Sequence, residues 1–306
     1  MRDKLRGLLV PIVTPFDPVS GDVAPVSLRA NARALLEAGV DGILAAGSTG
    51  EAAMLDEREF QQLVEWLRDV VPDERWLLAG TGRESTRATI AACKVAAEAG
   101  ADAVLVRPPA YYGGGLSVTA LVAHFRHVAD ASPVPVLLYN IPKYTHVALH
   151  EAVLAALAEH PNVVGAKDSS GDLKNFAAYR AAAPSWALLM GSGSHFYPAL
   201  ELGGVGAILA VANCAAGLAV RLARAFAGGD RAQAGATQEV LTPLNKLVVG
   251  ELGVPGVKAA VDLVGMVGGP VRPPLADLDA PARARVQAAL VAAGLEVQEP
   301  SGRALG

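Results

Sequence analysis

Short apolar runs alternate regularly with longer helical segments along this sequence. Eight such runs occur, and each of the first seven is followed by a helical segment and then by the next run. The runs are nearly continuous in apolar residues, as expected of parallel strands that helices cover. They are Leu8–Thr14, Gly42–Ala46, Trp76–Gly80, Ala103–Arg107, Val134–Tyr139, Val163–Lys167, Ala187–Gly191 and Gly206–Val211.

Eight alternating units of strand and helix predict an α/β fold, the closed (β/α)8 or TIM barrel. A six-stranded open sheet is the runner-up, but it leaves two runs unexplained. Beyond about residue 214 the pattern is helical to the end, which predicts two or three additional C-terminal helices. We therefore expect one structural unit over residues 1–306, with the barrel in residues 1–213 and a helical extension packed on it in residues 214–306.

Helix boundaries are marked by glycines after the helix ends and by polar residues at the helix starts. An Ala-rich stretch ends in glycine before several of the runs, as at Gly39 and Gly100, where the chain must turn through a left-handed conformation. Several helices also begin with a residue whose side chain can cap backbone N–H groups. The predicted caps are Asp56, Ser85, Ser117 and Ser194.

The composition favours a small molecule as the partner. Hydrophobic residues make up 52% of the chain and charged residues 18%, and the net charge is −4. No cluster of Lys and Arg forms the basic face that nucleic acid requires. No apolar stretch reaches the ~20 residues that cross a bilayer, and the N-terminal segment, broken by Pro11 and Pro15, is interpreted as a strand and not as a signal peptide. We expect a cytoplasmic protein that binds neither nucleic acid nor membrane.

Cysteines and histidines do not indicate a metal site. Cys93 and Cys214 stand in Ala-rich surroundings and are interpreted as buried apolar residues. His124 and His127 have helical spacing and are interpreted as part of a solvated face. A metal-dependent aldolase needs a cluster of His and carboxylate ligands, which the sequence lacks. A glycine fingerprint for dinucleotides is also missing.

Candidate functional residues follow the strands, because the chemistry of such barrels lies at the C-terminal strand ends. Ser48 and Thr49 lie between two glycines after the second strand, where hydroxyls and N–H groups can hold a carboxylate or relay a proton. The same segment also fits an ordinary turn. Tyr112 stands beside a glycine run after the fourth strand, as a functional or a packing residue. Tyr139 ends the fifth strand, either as a proton donor and acceptor or as a cover for the core.

Lys167, at the end of the sixth strand, is the most informative residue. On alternation it shares one face of its strand with Val163 and Gly165. If that face is the barrel interior, the amine projects into the barrel mouth and Gly165 leaves space beneath it. A buried amine is harder to protonate, and a free amine can condense with a ketone. The alternative is a lysine that reaches the rim or pairs with Asp168.

Several motifs in order resemble the dihydrodipicolinate synthase and N-acetylneuraminate lyase family. They are GSTGE, YNIP and VVGAKDS on the second, fifth and sixth strands, preceded by VPIVTPF and followed by PGVKAAVDLVGMVGGPVRPPL. The resemblance covers nearly the whole chain. It implies a class I lyase or synthase of 2-oxo acids such as pyruvate, with an aldehyde as the second partner. It also implies a homotetramer built as a dimer of dimers, and no metal or organic cofactor.

The resemblance also implies roles for individual residues. Lys167 would form the Schiff base and Tyr139 would shuttle protons over the imine. Ser48 and Thr49, next to Gly47, would bind the carboxylate of the 2-oxo acid and relay protons with Tyr139. The remaining positions are Tyr112, an aromatic residue lent to the site of a neighbouring subunit, and Gly191 and Ile208, which would line the pocket beside the lysine.

The second substrate is where the sequence departs from the synthases of the family. Their arginine two residues after the proline of YNIP is replaced by Tyr144, and a phenol cannot make the bidentate contact with a carboxylate that arginine makes. The adjacent Lys143 is expected to point elsewhere, and His146 replaces a usual glycine. Ser169 fits the aldolases that cleave 4-hydroxy-2-oxoglutarate or 2-keto-3-deoxy sugar acids. We expect such an aldolase as a first hypothesis.

Two alternatives remain open. One is 4-hydroxy-tetrahydrodipicolinate synthase, which condenses pyruvate with aspartate semialdehyde. The other is a barrel that binds a 2-oxo acid without converting it. The presence of Lys167, Tyr139 and Ser48 together argues against a silent barrel. Trapping an imine with borohydride and measuring turnover distinguish these possibilities.

Overall fold

Eight parallel strands form a closed barrel in the computed structural model, which describes residues 5–298. Each strand pairs with the next in the chain, and the first pairs with the eighth. The predicted barrel is confirmed, and the open sheet is excluded. The observed strands are β1 Gly7–Pro11, β2 Gly42–Ala45, β3 Trp76–Gly80, β4 Ala103–Val106, β5 Val136–Asn140, β6 Val163–Asp168, β7 Ala187–Met190 and β8 Gly206–Ile208.

Twelve α-helices lie within residues 5–298, together with short 3-10 turns and one π-helical turn, Lys246–Glu251. None of these helices is long and apolar enough to cross a membrane. The helices are α1 Pro25–Glu37, α2 Glu57–Arg68, α3 Thr86–Glu98, α4 Val118–Ala131, α5 Pro142–Thr145, α6 Glu151–Leu157, α7 Leu173–Ala182, α8 Phe196–Glu201, α9 Ala212–Ala227, α10 Arg231–Asn245, α11 Gly253–Leu263 and α12 Ala280–Ala292. Residues 299–306 of the predicted extension and residues 1–4 lie outside the described residues.

Two apolar layers hold the barrel together. Side chains that point inward fill the barrel, and those that point outward pack against the helices. Helix α2 shows the outer packing, because it buries residues at helical spacing and exposes the opposite face. The inner layer includes Leu9, Leu44, Leu78, Leu105, Leu137, Leu189 and Ile208.

Three of the four predicted helix caps are confirmed. Asp56 forms a capping box with Glu59, and the hydroxyls of Ser85 and Ser117 accept from backbone N–H groups of α3 and α4. The prediction for Ser194 is wrong. Residues Gly193–His195 form a 3-10 turn before α8, and the Ser194 hydroxyl accepts a hydrogen bond from Asn245 at 2.9 Å. A contact with α10, distant in sequence, has replaced the local cap.

Strand β6 contains an irregularity that the alternation pattern does not predict. Val136 pairs with Val163, but the next residue of β5, Leu137, pairs with Gly165, so Val164 is an extra residue. Val163 therefore packs in the outer layer while Val164 packs inside the barrel. The prediction that Val163 shares a face with Lys167 is wrong, although Gly165 and Lys167 remain on one side of the strand.

Gly165 is required by a close approach of the backbone and not by space beneath the lysine. A Cβ atom there would lie 2.2 Å from the carbonyl oxygen of Ala187 on β7. His124 also differs from its prediction, because it is 7% exposed and its Nδ1 contacts the Thr86 hydroxyl at 2.9 Å. The interpretation as a solvated face holds for the exposed His127 alone.

Candidate active site

Lys167 and Tyr139 lie side by side at the C-terminal ends of β6 and β5, where the two residues pair directly. The lysine is 4% exposed and the tyrosine 5%. Lys167 Nζ donates a hydrogen bond to Tyr139 Oη at 3.2 Å and lies 4.3 Å from the centre of the same ring. Their geometry places an amine and a phenol close enough to exchange protons with one bound molecule.

Asp168 does not pair with Lys167. Its carboxylate accepts hydrogen bonds from Asn140 at 2.8 Å, from the Ser170 N–H and hydroxyl at 3.0 Å each, and from Asn175 at 3.1 Å. These partners occupy the carboxylate, and the lysine is too buried to reach the rim. Both alternative interpretations of Lys167 are thus excluded. The asparagines were not among the candidate residues, although Asn140 stands in the YNIP motif.

The loop after β2 carries Ser48 and Thr49 at half-buried positions. Within residues 5–298 neither hydroxyl has a hydrogen-bond partner, so both are available to a ligand. The loop lies between two residues with left-handed backbones, Ala46 at φ 48° and Glu51 at φ 56°. Such conformations are costly for residues other than glycine and are found where surrounding contacts hold them.

Glu51, the last residue of the GSTGE motif, is buried in an ion pair with Lys258 of α11. Lys258 Nζ lies 2.6 Å from Glu51 Oε1, and the two side chains are 1% and 0% exposed. Burial lowers the pKa of Lys258, and the carboxylate of Glu51 opposes that shift. Sequence reasoning missed this pair, because 207 residues separate its members.

The loop after β7 forms the side of the site next to β6. A Cβ atom at Gly191 would lie 1.8 Å from Ser169 Oγ, so the glycine makes room for that side chain. Helix α10 holds the loop from outside, since Gln238 donates to the carbonyl of Gly193 at 2.8 Å. Ile208 of β8 is fully buried in the inner layer of the barrel.

Tyr144 lies on the short helix α5, which follows β5. It is 47% exposed, and burial together with the nearby Tyr139 raises its pKa, which keeps the phenol neutral. Lys143 donates to the carbonyl of Gly250 in the π-helical turn at 2.8 Å, and its Nζ lies 5.6 Å from the centre of the Tyr144 ring. His146 has a left-handed backbone at φ 55°, so the conformation expected of a glycine is kept there.

Tyr112 lies outside this group of residues. It is 77% exposed and packs edge-to-face on Tyr111, with 4.9 Å between ring centres. The loop itself is anchored, because Glu84 accepts from the N–H groups of Ala110 and Tyr111 at 2.8 Å each. Within one chain, therefore, the structure brings Lys167 and Tyr139 together but not Tyr112.

The fold and this group of residues define a class of protein, the (β/α)8-barrel lyases. The chain belongs to the dihydrodipicolinate synthetase family, whose model matches residues 4–293. It is accordingly an enzyme of the lyase class, as the resemblance predicts.

Similar proteins cover almost the whole chain. A DapA-like lyase of Halobacterium salinarum is 40% identical, over 95% of this chain and 95% of its own. A 4-hydroxy-tetrahydrodipicolinate synthase of Synechococcus is 41% identical, over 87% and 88%. Among solved structures, the prophage protein YagE of E. coli K12 in complex with pyruvate has a TM-score of 0.90 and 31% identity, over 95% of this chain and 99% of that chain.

Proposed function

We propose that this enzyme is a class I aldolase that binds a 2-oxo acid as a Schiff base on Lys167. The observation that carries the proposal is the buried contact between Lys167 Nζ and Tyr139 Oη at 3.2 Å. An amine out of water beside a proton donor is what imine formation requires. The pyruvate complex of YagE supports a 2-oxo acid as the ligand.

The chemistry begins when the free amine of Lys167 attacks the ketone carbon of pyruvate. Tyr139 gives a proton to the departing hydroxyl, which leaves as water, and the nitrogen becomes a protonated imine. That cation withdraws electrons, so the neighbouring methyl group loses a proton to the Tyr139 phenolate left by the previous step, and an enamine forms. In synthesis the enamine carbon attacks the aldehyde, whose oxygen takes the proton back from Tyr139. Water then adds to the new imine and releases the product from the lysine, and the excess proton returns to Tyr139. Cleavage follows the same steps in reverse.

Ser48 and Thr49 bind the carboxylate of the 2-oxo acid in this proposal. Their hydroxyls have no partner of their own within residues 5–298, and they follow the strand that ends beside the barrel mouth. Backbone N–H groups at Gly47 and its neighbours can add donors. Gly191, Ser169 and Ile208 enclose the opposite side.

Tyr144 favours a substrate that presents a hydroxyl group to it over one that presents a second carboxylate, which an arginine would bind. The phenol is neutral, and the amine of the adjacent Lys143 is bonded to the carbonyl of Gly250. Among the preferred substrates, Tyr144 therefore supports 2-keto-3-deoxy sugar acids, which carry one carboxylate and several hydroxyls. 4-Hydroxy-2-oxoglutarate has a second carboxylate and stays in the preferred class because of Ser169. The main alternative is 4-hydroxy-tetrahydrodipicolinate synthase, which is the name of several relatives.

Tyr112 completes the site of a neighbouring subunit in this proposal. A large aromatic side chain that is 77% exposed, on an anchored loop, suits a contact with a second copy of the chain. A tetramer formed as a dimer of dimers would bring each Tyr112 to a partner.

The first experiment traps the imine. Pyruvate plus borohydride should add a covalent mass to the peptide that contains Lys167, and Lys167→Ala should abolish it. The matched control is Lys174→Ala, which removes an exposed lysine of α7. Absence of a trapped adduct in the wild-type enzyme would overturn the mechanism, and trapping without turnover of any 2-oxo acid would favour a binding protein.

The second experiment separates the two substrate classes. The enzyme is given 4-hydroxy-2-oxoglutarate, 2-keto-3-deoxygluconate, or pyruvate with aspartate semialdehyde. We expect cleavage of one of the first two, and we expect Tyr144→Arg to shift kcat/KM toward the semialdehyde. Efficient condensation with the semialdehyde alone by the wild-type enzyme would contradict the preferred class.

The third experiment tests the shared site. Activity per subunit should fall when the enzyme is diluted until it dissociates, and Tyr112→Phe should lower kcat in the undiluted enzyme. Tyr111→Phe is the matched control, because its ring is equally exposed and touches Tyr112. A fully active monomer would refute the shared site.

A further inference from the structure

The backbone of Glu51 is held in a strained conformation directly beside the loop of Ser48 and Thr49. Its φ of 56° lies in the left-handed region, and its N–H donates to the carbonyl of Ser48 at 3.2 Å. The preceding residue, Gly50, is also anchored, because the Thr14 hydroxyl donates to its carbonyl at 2.7 Å. Glu51 is therefore bonded directly to the loop that carries both hydroxyls.

The carboxylate of Glu51 is fixed at both oxygens. Oε1 receives Lys258 Nζ at 2.6 Å, and Oε2 receives the backbone N–H of Arg272 at 2.8 Å. Lys258 is fixed in turn, since it donates to the carbonyl of Pro270 at 2.6 Å and lies 4.4 Å from the ring centre of Phe16. Glu51, the last residue of the loop, is thus bonded to residues 258 and 272 through contacts that are buried from water.

A buried ion pair is weak evidence for a contribution to stability. Well-packed apolar side chains in place of such a pair are often as stable or more so, because both charges lose their hydration. The strained backbone of Glu51 adds a further cost. A role in fixing the conformation of the ligand-binding loop therefore accounts for the ion pair better than a role in stability does.

We propose that Glu51 and Lys258 are positioning residues that hold the Ser48–Thr49 loop in the conformation that binds the carboxylate of the 2-oxo acid. The inference rests on the proposed function and deepens it, since it says what orders the binding loop. Lys167 and Tyr139 are held by their own strands, so losing the pair should weaken binding of the 2-oxo acid more than it slows the later steps.

The test is the double variant Glu51→Gly/Lys258→Met. It removes both charges together, and glycine adopts a positive φ without strain. We expect a folded protein whose melting temperature is lowered by the cavity and by the unpaired N–H of Arg272. The concentration of pyruvate that half-saturates borohydride trapping should rise about tenfold or more, as for a lost hydrogen bond to a charged group. The KM for the 2-oxo acid should rise similarly, with kcat changed less.

Arg68→Met is the matched control. Arg68 contacts Asp102 and the carbonyl of Gly100 at the opposite end of the barrel. Its loss should lower the melting temperature without changing half-saturation by pyruvate. If the first double variant does not fold, Glu51→Gln/Lys258→Met makes the same measurement, because the amide still accepts from the Arg272 N–H.

The outcomes separate this inference from the proposed function. If the wild type forms no adduct, the Schiff-base proposal is wrong, and so is the positioning role that rests on it. If the wild type is trapped and a folded double variant half-saturates at the same pyruvate concentration, the positioning role alone is overturned. Failure of both double variants to fold also overturns it, since the pair would then serve the fold and not the loop.

Discussion

Replacing Tyr139 with Phe tests the centre of the proposed mechanism, because it removes one oxygen and keeps the ring. That oxygen accepts the hydrogen bond from Lys167 Nζ at 3.2 Å, and the ring lies 4.3 Å from the same nitrogen. The ring is 5% exposed and packs in the inner layer of the barrel. Phe keeps this packing, so the loss should fall on proton transfer and not on folding.

The expected magnitude follows from the role. A positioned general acid or base contributes about 10²- to 10⁴-fold, which corresponds to roughly 2.7–5.5 kcal/mol in the activation free energy. Proton transfer occurs when water leaves during imine formation and again when the enamine forms. Both the rate of borohydride trapping and kcat should therefore fall, while the adduct still forms at long times.

The assay compares single-turnover trapping with steady-state kinetics for the wild type and Tyr139→Phe. Tyr197→Phe serves as the control, since it removes a tyrosine hydroxyl from the half-buried surface of α8. Rates in Tyr139→Phe within about threefold of the wild type, far below the contribution of a general acid or base, would refute the shuttle role. Complete loss of the adduct at long times would show instead that Tyr139 is needed to hold the lysine.

Three other changes are predicted. Gly191→Ala places a Cβ atom 1.8 Å from Ser169 Oγ and should lower activity. Adding Ser169→Gly should restore part of that activity, and a fully active Gly191→Ala variant would contradict this packing. Burial lowers the pKa of His124 from 6.5 to about 4, so the unfolded chain binds the extra proton between those values. Stability should therefore fall as pH drops through that window, by up to about 1.4 kcal/mol per pH unit in urea titrations, and His124→Phe should flatten the fall. Burial raises the pKa of Cys214 to about 12 and also raises that of Cys93, so neither thiol should react with a disulfide reagent until denaturant is added; rapid reaction of the native protein would refute this.

The barrel could be predicted because a strand that is buried on both faces is apolar along its length, and this shows in the sequence. Strand β3 has the predicted bounds, and the other strands differ by a few residues at their ends. The extra residue Val164 could not be predicted, since Val163 and Val164 are equally apolar and the pairing with β5 decides which one faces inward. The Ser194 cap failed for a related reason, because Asn245 competes for the hydroxyl.

The candidate site was predictable where its chemistry is local. Lys167 and Tyr139 end neighbouring strands, and a barrel brings such ends together. The partner of Glu51 lies 207 residues away and the side chain that holds Gly193 lies 45 residues away, so neither leaves a signal in a single sequence. Long-range polar contacts of this kind depend on how the last helices pack against the barrel.

The contacts made by α10 and α11 have a consequence for how this chain can be divided. A fragment that ended at residue 213 would keep every residue proposed to touch the 2-oxo acid within one subunit. It would lose Lys258, Gln238 and Asn245, which fasten the loops after β2 and β7 from outside. Such a fragment would contain the side chains proposed to bind the 2-oxo acid but would lack the contacts that position their loops. The working unit of this enzyme is therefore longer than its barrel.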